Sequence, residues 1–176
     1  MHYKNYKLGI IILNYGDPQL CLNLVKSLIK TKEKFNIVIV DNFSTKNNLK
    51  KLEYFITNCK HNFIYLKKSK NLGYGVGNNL GLKMSFEKLK SEYSLVLNPD
   101  IILKKNCSFS SLKILKKNEK CLFTGIVNEN DKNKSLYKFN KLTLRLSSYN
   151  KKESNSIQPI IPSGSYIGFT KKLWKD

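Results

Sequence analysis

The sequence predicts an α/β fold: a mostly parallel, Rossmann-like sheet flanked by helices. Three observations predict it. Short aliphatic runs recur along the first hundred residues, amphipathic helical patterns separate them, and a polar cluster stands directly after each run. Continuous apolar runs suit strands buried on both faces, and parallel neighbours must be joined by a crossover, usually a helix.

The elements follow in order. "KLGIIIL" (7–13) reads as the first buried strand. After "NYGDP", residues 18–30 place Leu20, Leu24 and Leu28, with Cys21 and Val25, on one helical side, and Pro18 suits the first turn. "NIVIVD" (36–41) is a second strand. "FSTKNNLKKLEYFITN" (43–58) is a helix turning Leu49, Leu52, Phe55 and Ile56 inward, with Ser44 or Thr45 near its cap. "NFIYL" (62–66) is the third strand. "NLGYGVGNNLGLKMSFEKL" (71–89) opens as a glycine-rich loop and settles into a helix carrying Leu82, Phe86 and Leu89. "YSLVL" (93–97) is the fourth strand. Residues 106–118 give a further helix and 121–127 a further strand. Residues 128–135 and 147–156 read as loops around a strand or hairpin in "LYKFNKLTLRL". With 176 residues and no linker, a single domain is expected, its better-patterned half ending near residue 103.

In open parallel sheets, ligands sit outside the carboxyl ends of the strands. The residues to inspect are therefore Asn14-Tyr15, Asp41-Asn42, the Asn71–Gly73 loop and Asn98-Pro99-Asp100. The last is the most telling. In "SLVLNPDIIL" an aliphatic run breaks for an amide, a proline and a carboxylate, then resumes. Pro99 donates no ladder hydrogen bond and fixes φ, so the strand stops there and Asp100 stands at its edge. The competing reading is a plain strand-ending Asx turn. The glycine-rich loop is not a dinucleotide fingerprint, which would follow the first strand instead of the third.

The bulk numbers exclude other classes. A net charge of +20 suggests nucleic acid, but of 32 basic residues Arg145 alone is arginine, the residue that bidentate base and phosphate readout favours. The lysines are scattered, and the expectation is a solvated basic surface, no nucleic-acid partner, and attraction to anionic substrates or membrane headgroups. Cys21, Cys59, Cys107 and Cys121 form no CxxC pair, so neither zinc nor a disulfide framework is expected, and the thiols fit a cytoplasmic protein. No apolar run approaches the ~18 residues of a membrane span. Any membrane contact would be peripheral, at the inner face.

In order, "IIILNYGDP", "VIVDNFST", "NLGYGVGNNLGL", "YSLVLNPDIIL" and "IPSGSYIGFTKKLW" resemble the family 2 glycosyltransferases of the GT-A fold. They are most similar to the rhamnosyltransferase-like branch, whose acidic motif often reads Asn-Pro-Asp. The likeness runs from 7 to 103, thins, and returns at 162–174. It implies a donor half over 1–103 and a partial acceptor side over 104–176. The implied activity is inverting, metal-assisted transfer from a UDP- or dTDP-sugar to a glycan or lipid-linked acceptor in cell-surface polysaccharide synthesis. Carried over by position, Asn14 and Tyr15 lie where the nucleotide base rests, and Asp41 accepts from base or ribose. Asn71, Gly73 and Asn79 match the loop under the nucleotide, with Asn98 beside them. Asp100 matches the family's last metal-motif acid, for Mg²⁺ or Mn²⁺, while Asn98 stands where many relatives carry aspartate. Ser163 and Gly164 match the sugar pocket. The general base of the family lies in an acidic segment downstream of that pocket; after Asp131 the only carboxylates are Glu153 and Asp176, neither matches that segment, and the base is expected beyond Asp176. The alternative implied is a nucleotide-sugar-binding fragment without turnover.

Overall fold

A computed structural model of the chain describes residues 6–31, 33–44, 46–59, 61–104, 107–117, 122–125, 128–129, 132–133, 136–140, 145–148, 160–162 and 164–175. The first half is a run of strand–helix units: β1 (Leu8–Asn14), α1 (Pro18–Ile29), β2 (Asn36–Asp41), α2 (Lys46–Thr57), β3 (Asn62–Lys67), α3 (Tyr74–Lys83) and β4 (Tyr93–Leu97). A π-helical turn over Met84–Lys88 extends α3. These four strands are parallel and stand in the order β3-β2-β1-β4. That is the predicted mostly parallel α/β sheet.

Its core has two layers set by the period-2 alternation of strand side chains. On one face Ile10, Ile12, Ile37, Ile39, Leu95 and Leu97 meet Leu24 and Leu28 of α1 and Leu52 of α2. On the other, Ile11, Val38, Val40 and Val96 meet Leu82, Phe86 and Leu89. Burying each such aliphatic side chain contributes roughly 1.5–3 kcal/mol, which is why the central strands are so uniformly apolar. α3 lies unusually close to β1. A Cβ at Gly77 would come within 2.4 Å of Leu13, and one at Gly81 within 2.4 Å of Ile11. These glycines seat the helix, and with it the loop that opens it, against the central strand.

The second half departs from the expected pattern. After α4 (Cys107–Lys117) comes β5 (Leu122–Thr124), inside the strand expected over 121–127, of which Cys121, Ile126 and Val127 lie outside the described residues. It does not pair with β4. Instead β11 (Tyr166–Thr170) inserts between them, antiparallel to both, and completes the order β3-β2-β1-β4-β11-β5. The sequence read 162–174 only as a pocket segment, because its short run carries no signal for which edge it joins. The expected loop at 128–135 contains β6 (Asn128–Glu129) and β7 (Lys132–Asn133), a two-residue pairing. The hairpin option for 136–146 holds: β8 (Leu136–Asn140) pairs antiparallel with β9 (Arg145–Ser148), and β10 (Ile160–Pro162) adds to β8. The short helix α5 (Lys171–Lys175) follows β11, with Trp174 packed 6.1 Å from Phe86. In α1, Leu20 is 47% exposed while Leu22 is buried, so the inward face sits further round than expected. Asp17 caps that helix by accepting from the Gln19 N–H at 2.9 Å.

At the amino-terminal edge of the sheet a buried polar knot replaces apolar packing. The Asn36 amide donates to the carbonyls of Tyr6 (2.7 Å) and Leu89 (3.2 Å) and to Ser91 Oγ (2.8 Å), and its Oδ1 accepts from Asn62 at 2.8 Å. Removing one hub strands several buried partners. Asn36→Ala is expected to lower the unfolding free energy by about 2 kcal/mol, read as a fall in urea midpoint at unchanged slope.

Candidate functional site

The sheet brings the four polar strand ends to one edge. Asn14 at the tip of β1 stands level with Asp41 at the tip of β2, and β4 runs parallel on the other side of β1. Strands lie about 4.8 Å apart, so Asp41 and the Asn98–Asp100 turn are separated laterally by about 10 Å.

Asp41 is completely buried. Its Oδ1 accepts the Ser44 N–H at 3.0 Å and its Oδ2 accepts the Tyr65 hydroxyl at 3.1 Å. The carboxylate thus anchors the loop after β2. Two neighbours feel it. Burial, reinforced by the Asp41 charge, pushes the Cys21 thiol up to about 12 and raises the Tyr65 hydroxyl above its usual range. A thiol with an ordinary value of 9.0 that is held at about 12 favours the folded state while protonated. That contribution is full below pH 9 and is lost as the pH rises toward 12. Cys21→Ala is therefore expected to flatten the alkaline fall in stability, measured by urea unfolding between those limits. A wild-type-like fall in the variant assigns the alkaline loss to other groups.

Asn42, placed by position among the strand-end residues but given no role from sequence, ties two loops together. Its amide donates to Asn71 Oδ1 at 2.7 Å, and its Oδ1 accepts the Leu72 N–H at 2.8 Å. Asn71 Oδ1 also accepts the Gly73 N–H at 2.8 Å. Gly73 is the N-cap just before α3 and has φ +79°, a positive-φ backbone that glycine adopts without strain. Asn71 and Gly73 are thus brought together under Asn42. Asn79 is not part of that loop: it lies on α3 with its side chain exposed, and the adjacent Asn78 is buried instead.

Asn14 donates to Ser44 Oγ at 2.6 Å, while its Oδ1 is buried with no hydrogen-bond partner among the described residues. Neither polar end of Asn78 has one either. Buried polar atoms of this kind take a partner from water or a ligand. Around them Tyr15 and Phe43 are more than half exposed, and Phe43 holds φ 75°, rare for an aromatic residue. Exposed rings beside a polar crevice offer stacking faces. Phe43 was missed from sequence because only its backbone conformation marks it.

On the other flank, the Asn98 N–H donates to the Ser165 carbonyl at 3.0 Å, so the turn before β11 closes onto the end of β4. The Tyr74 hydroxyl at the start of α3 donates to the Gly164 carbonyl. Gly164 is thereby joined to the crevice, and Ser163 lies outside the described residues. Asp100 is exposed in the turn that follows β4. Among the described residues no three His, Cys, Asp or Glu side chains gather as a metal cage. With both Asp41 oxygens engaged inside the fold, the donor set left at this edge is the Asp100 carboxylate with amide and carbonyl oxygens. That chemistry fits a hard divalent cation that takes its remaining ligands from phosphate oxygens and water, and it does not fit zinc.

The comparisons with known proteins agree with this frame. The model of the family described as "Glycosyl transferase family 2" matches residues 9–174. The chain belongs to that family. Among family relatives, the low-salt glycan biosynthesis hexosyltransferase Agl10 of Haloferax volcanii is 36% identical over 99 residues, 56% of this chain and 29% of its own. Solved structures share the GT-A fold at low identity. Staphylococcus aureus TarS 1–349, in complex with UDP-GlcNAc, superposes with TM-score 0.59 at 22% identity over 72% of this chain and 36% of its own. Mannosyltransferase PcManGT of Pyrobaculum calidifontis, with GDP-Man and Mn²⁺, gives 0.61 at 12% over 69% and 36%. GalNAc-T7, with UDP, GalNAc and Mn²⁺, gives 0.68 at 13% over 96% and 36%. This family 2 chain therefore spans about a third of the length of the relatives it matches.

Proposed function

We propose that the crevice binds a UDP- or dTDP-linked sugar and that the protein transfers the sugar, with inversion, to a glycan or lipid-linked acceptor. The rhamnosyltransferase-like motif pattern and the relative named for glycan biosynthesis favour cell-surface polysaccharide assembly at the inner face of the membrane. The observation that carries this reading is the convergence of Asn14, the Asn42–Asn71–Gly73 link and the Asn98–Asp100 turn on one edge of a family 2 sheet.

In this reading the nucleotide base lies against Tyr15 and Phe43, and the unpartnered Asn14 Oδ1 accepts from it. Asp41 contributes by fixing the loop instead of touching the ligand, since both its oxygens are engaged inside the fold. Free backbone amides at the start of α3 face the phosphates, where the helix dipole favours negative charge. Asp100, with Asn98 beside it, would hold Mg²⁺ or Mn²⁺. When bound, that ion offsets the charge growing on the leaving diphosphate. Ser163 and Gly164 line the sugar. No described residue is assigned the base that takes the acceptor proton.

Asn98, an amide where many relatives carry aspartate, favours a second reading: binding without turnover. Calorimetric titration with UDP- and dTDP-sugars, with and without Mn²⁺, tests both. Saturable binding is expected, strengthened by Mn²⁺. A flat titration with every donor overturns both readings, and sugar-release assays then separate transfer from binding alone.

A further inference from the structure

The opposite edge of the sheet carries a second feature. Tyr93 begins β4 and pairs in register with Thr170, which ends β11, so this end lies a strand's length from the crevice, about 15 Å. A cleft of about 350 Å³ opens there. Lys116 of α4 and Lys171, Lys172 and Lys175 of α5 line it, over Tyr93 and Glu92.

Two physical points distinguish this cleft from the scattered lysine surface. First, among the described residues that line it the one acid is already engaged: Glu92 is held by Lys7 at 3.1 Å. Lys116, Lys171 and Lys175 form no ion pair among the described residues. Like charges gathered in a concavity repel one another, and a bound anion removes that cost. Second, the lysines are presented on a fixed frame. The Lys171 N–H donates to the Glu92 carbonyl at 2.9 Å, Thr170 Oγ1 accepts the Leu173 N–H at 3.4 Å, and Trp174 packs on Phe86. The ammonium groups of Lys116, Lys171 and Lys175 suit a compact, multiply charged anion approached from several sides, not a planar carboxylate gripped by a guanidinium fork.

We propose that this cleft seats a phosphate group, a phosphomonoester or phosphodiester, at a site separate from the crevice. The site does not depend on the donor reading. Free phosphate and a phospholipid headgroup share the chemistry, and two probes separate them: titration with inorganic phosphate, and co-sedimentation with phosphatidylglycerol vesicles against phosphatidylcholine vesicles. The test compares wild type with K116S/K171S/K175S and with K50S/K51S/K83S, which removes equal charge elsewhere. The cleft variant is expected to bind its probe about tenfold more weakly while the control stays within about twofold. Phosphate binding alone identifies a small anion as the ligand, and vesicle binding alone identifies the headgroup. Binding of neither probe, or equal loss in both triple variants, overturns the proposal. Circular dichroism checks the fold, and Lys175→Ser alone, expected to weaken binding several-fold, serves if the triple variant does not fold.

Discussion

Asp100→Ala is expected to lose Mn²⁺-dependent binding of the donor nucleotide by about a hundredfold, ~3 kcal/mol, with little change in folding stability. The asymmetry comes from position. Asp100 is exposed in the turn after β4, outside the strands that build the sheet. Substitutions at such sites usually shift stability by no more than ~0.5 kcal/mol. In the proposed reading its value lies in charge: among the described residues no three His, Cys, Asp or Glu side chains gather as a cage, and Asp100 is the carboxylate assigned to the ion. Titrations without Mn²⁺ should then be nearly the same for wild type and variant. Asp100→Asn should fall between, since an amide oxygen still coordinates but carries no net charge. If wild type and Asp100→Ala bind equally in Mn²⁺, the residue is a turn former and the metal assignment fails.

Asp41→Ala has the opposite character, with stability lost first. The carboxylate is inaccessible to solvent and accepts from the Ser44 N–H and the Tyr65 hydroxyl. Hydrogen bonds to a charged group contribute about 1.5–3 kcal/mol each, and both donors would be left without it, so a loss of about 4 kcal/mol is expected. That is a large part of a typical domain's 5–15 kcal/mol. Tyr65→Phe removes one of the two donors and should cost about 1–2 kcal/mol. The two substitutions share a partner, so their combined effect should be less than the sum. Thermal and urea unfolding of the three variants measure this. A change below ~1 kcal/mol in Asp41→Ala would show that the loop after β2 is held by something else.

Much of the fold was legible because its causes are local. Strand and helix periodicities are properties of neighbouring residues, and "KLGIIIL", "NIVIVD" and "YSLVL" carry them over a few positions. The crossover requirement then forces parallel pairing, and parallel pairing places every strand's carboxyl end on one side. The collection of Asn14, Asp41, Asn71 and Asn98 at one edge therefore followed from sequence. What each does there did not. The family resemblance implied Asp41 as a ligand acceptor, but its buried carboxylate turns inward to Ser44 and Tyr65. Asn79 stood in the right segment, and helical rotation left it outside while Asn78 went in. Rotation about a short glycine-rich helix is decided by what it packs on, here Leu13 and Ile11 against Gly77 and Gly81.

The class of fold and the polar side chains at the carboxyl ends of its parallel strands could be read from the chain, because each depends on runs of a few residues. Tertiary structure alone decided that β11 enters antiparallel between β4 and β5, that Tyr74 reaches Gly164, and that lysines of α4 and α5 meet in one cleft. Those outcomes join segments about 40 or more residues apart, where pairing is selected by the shape and burial of the whole sheet, and no local pattern encodes the choice.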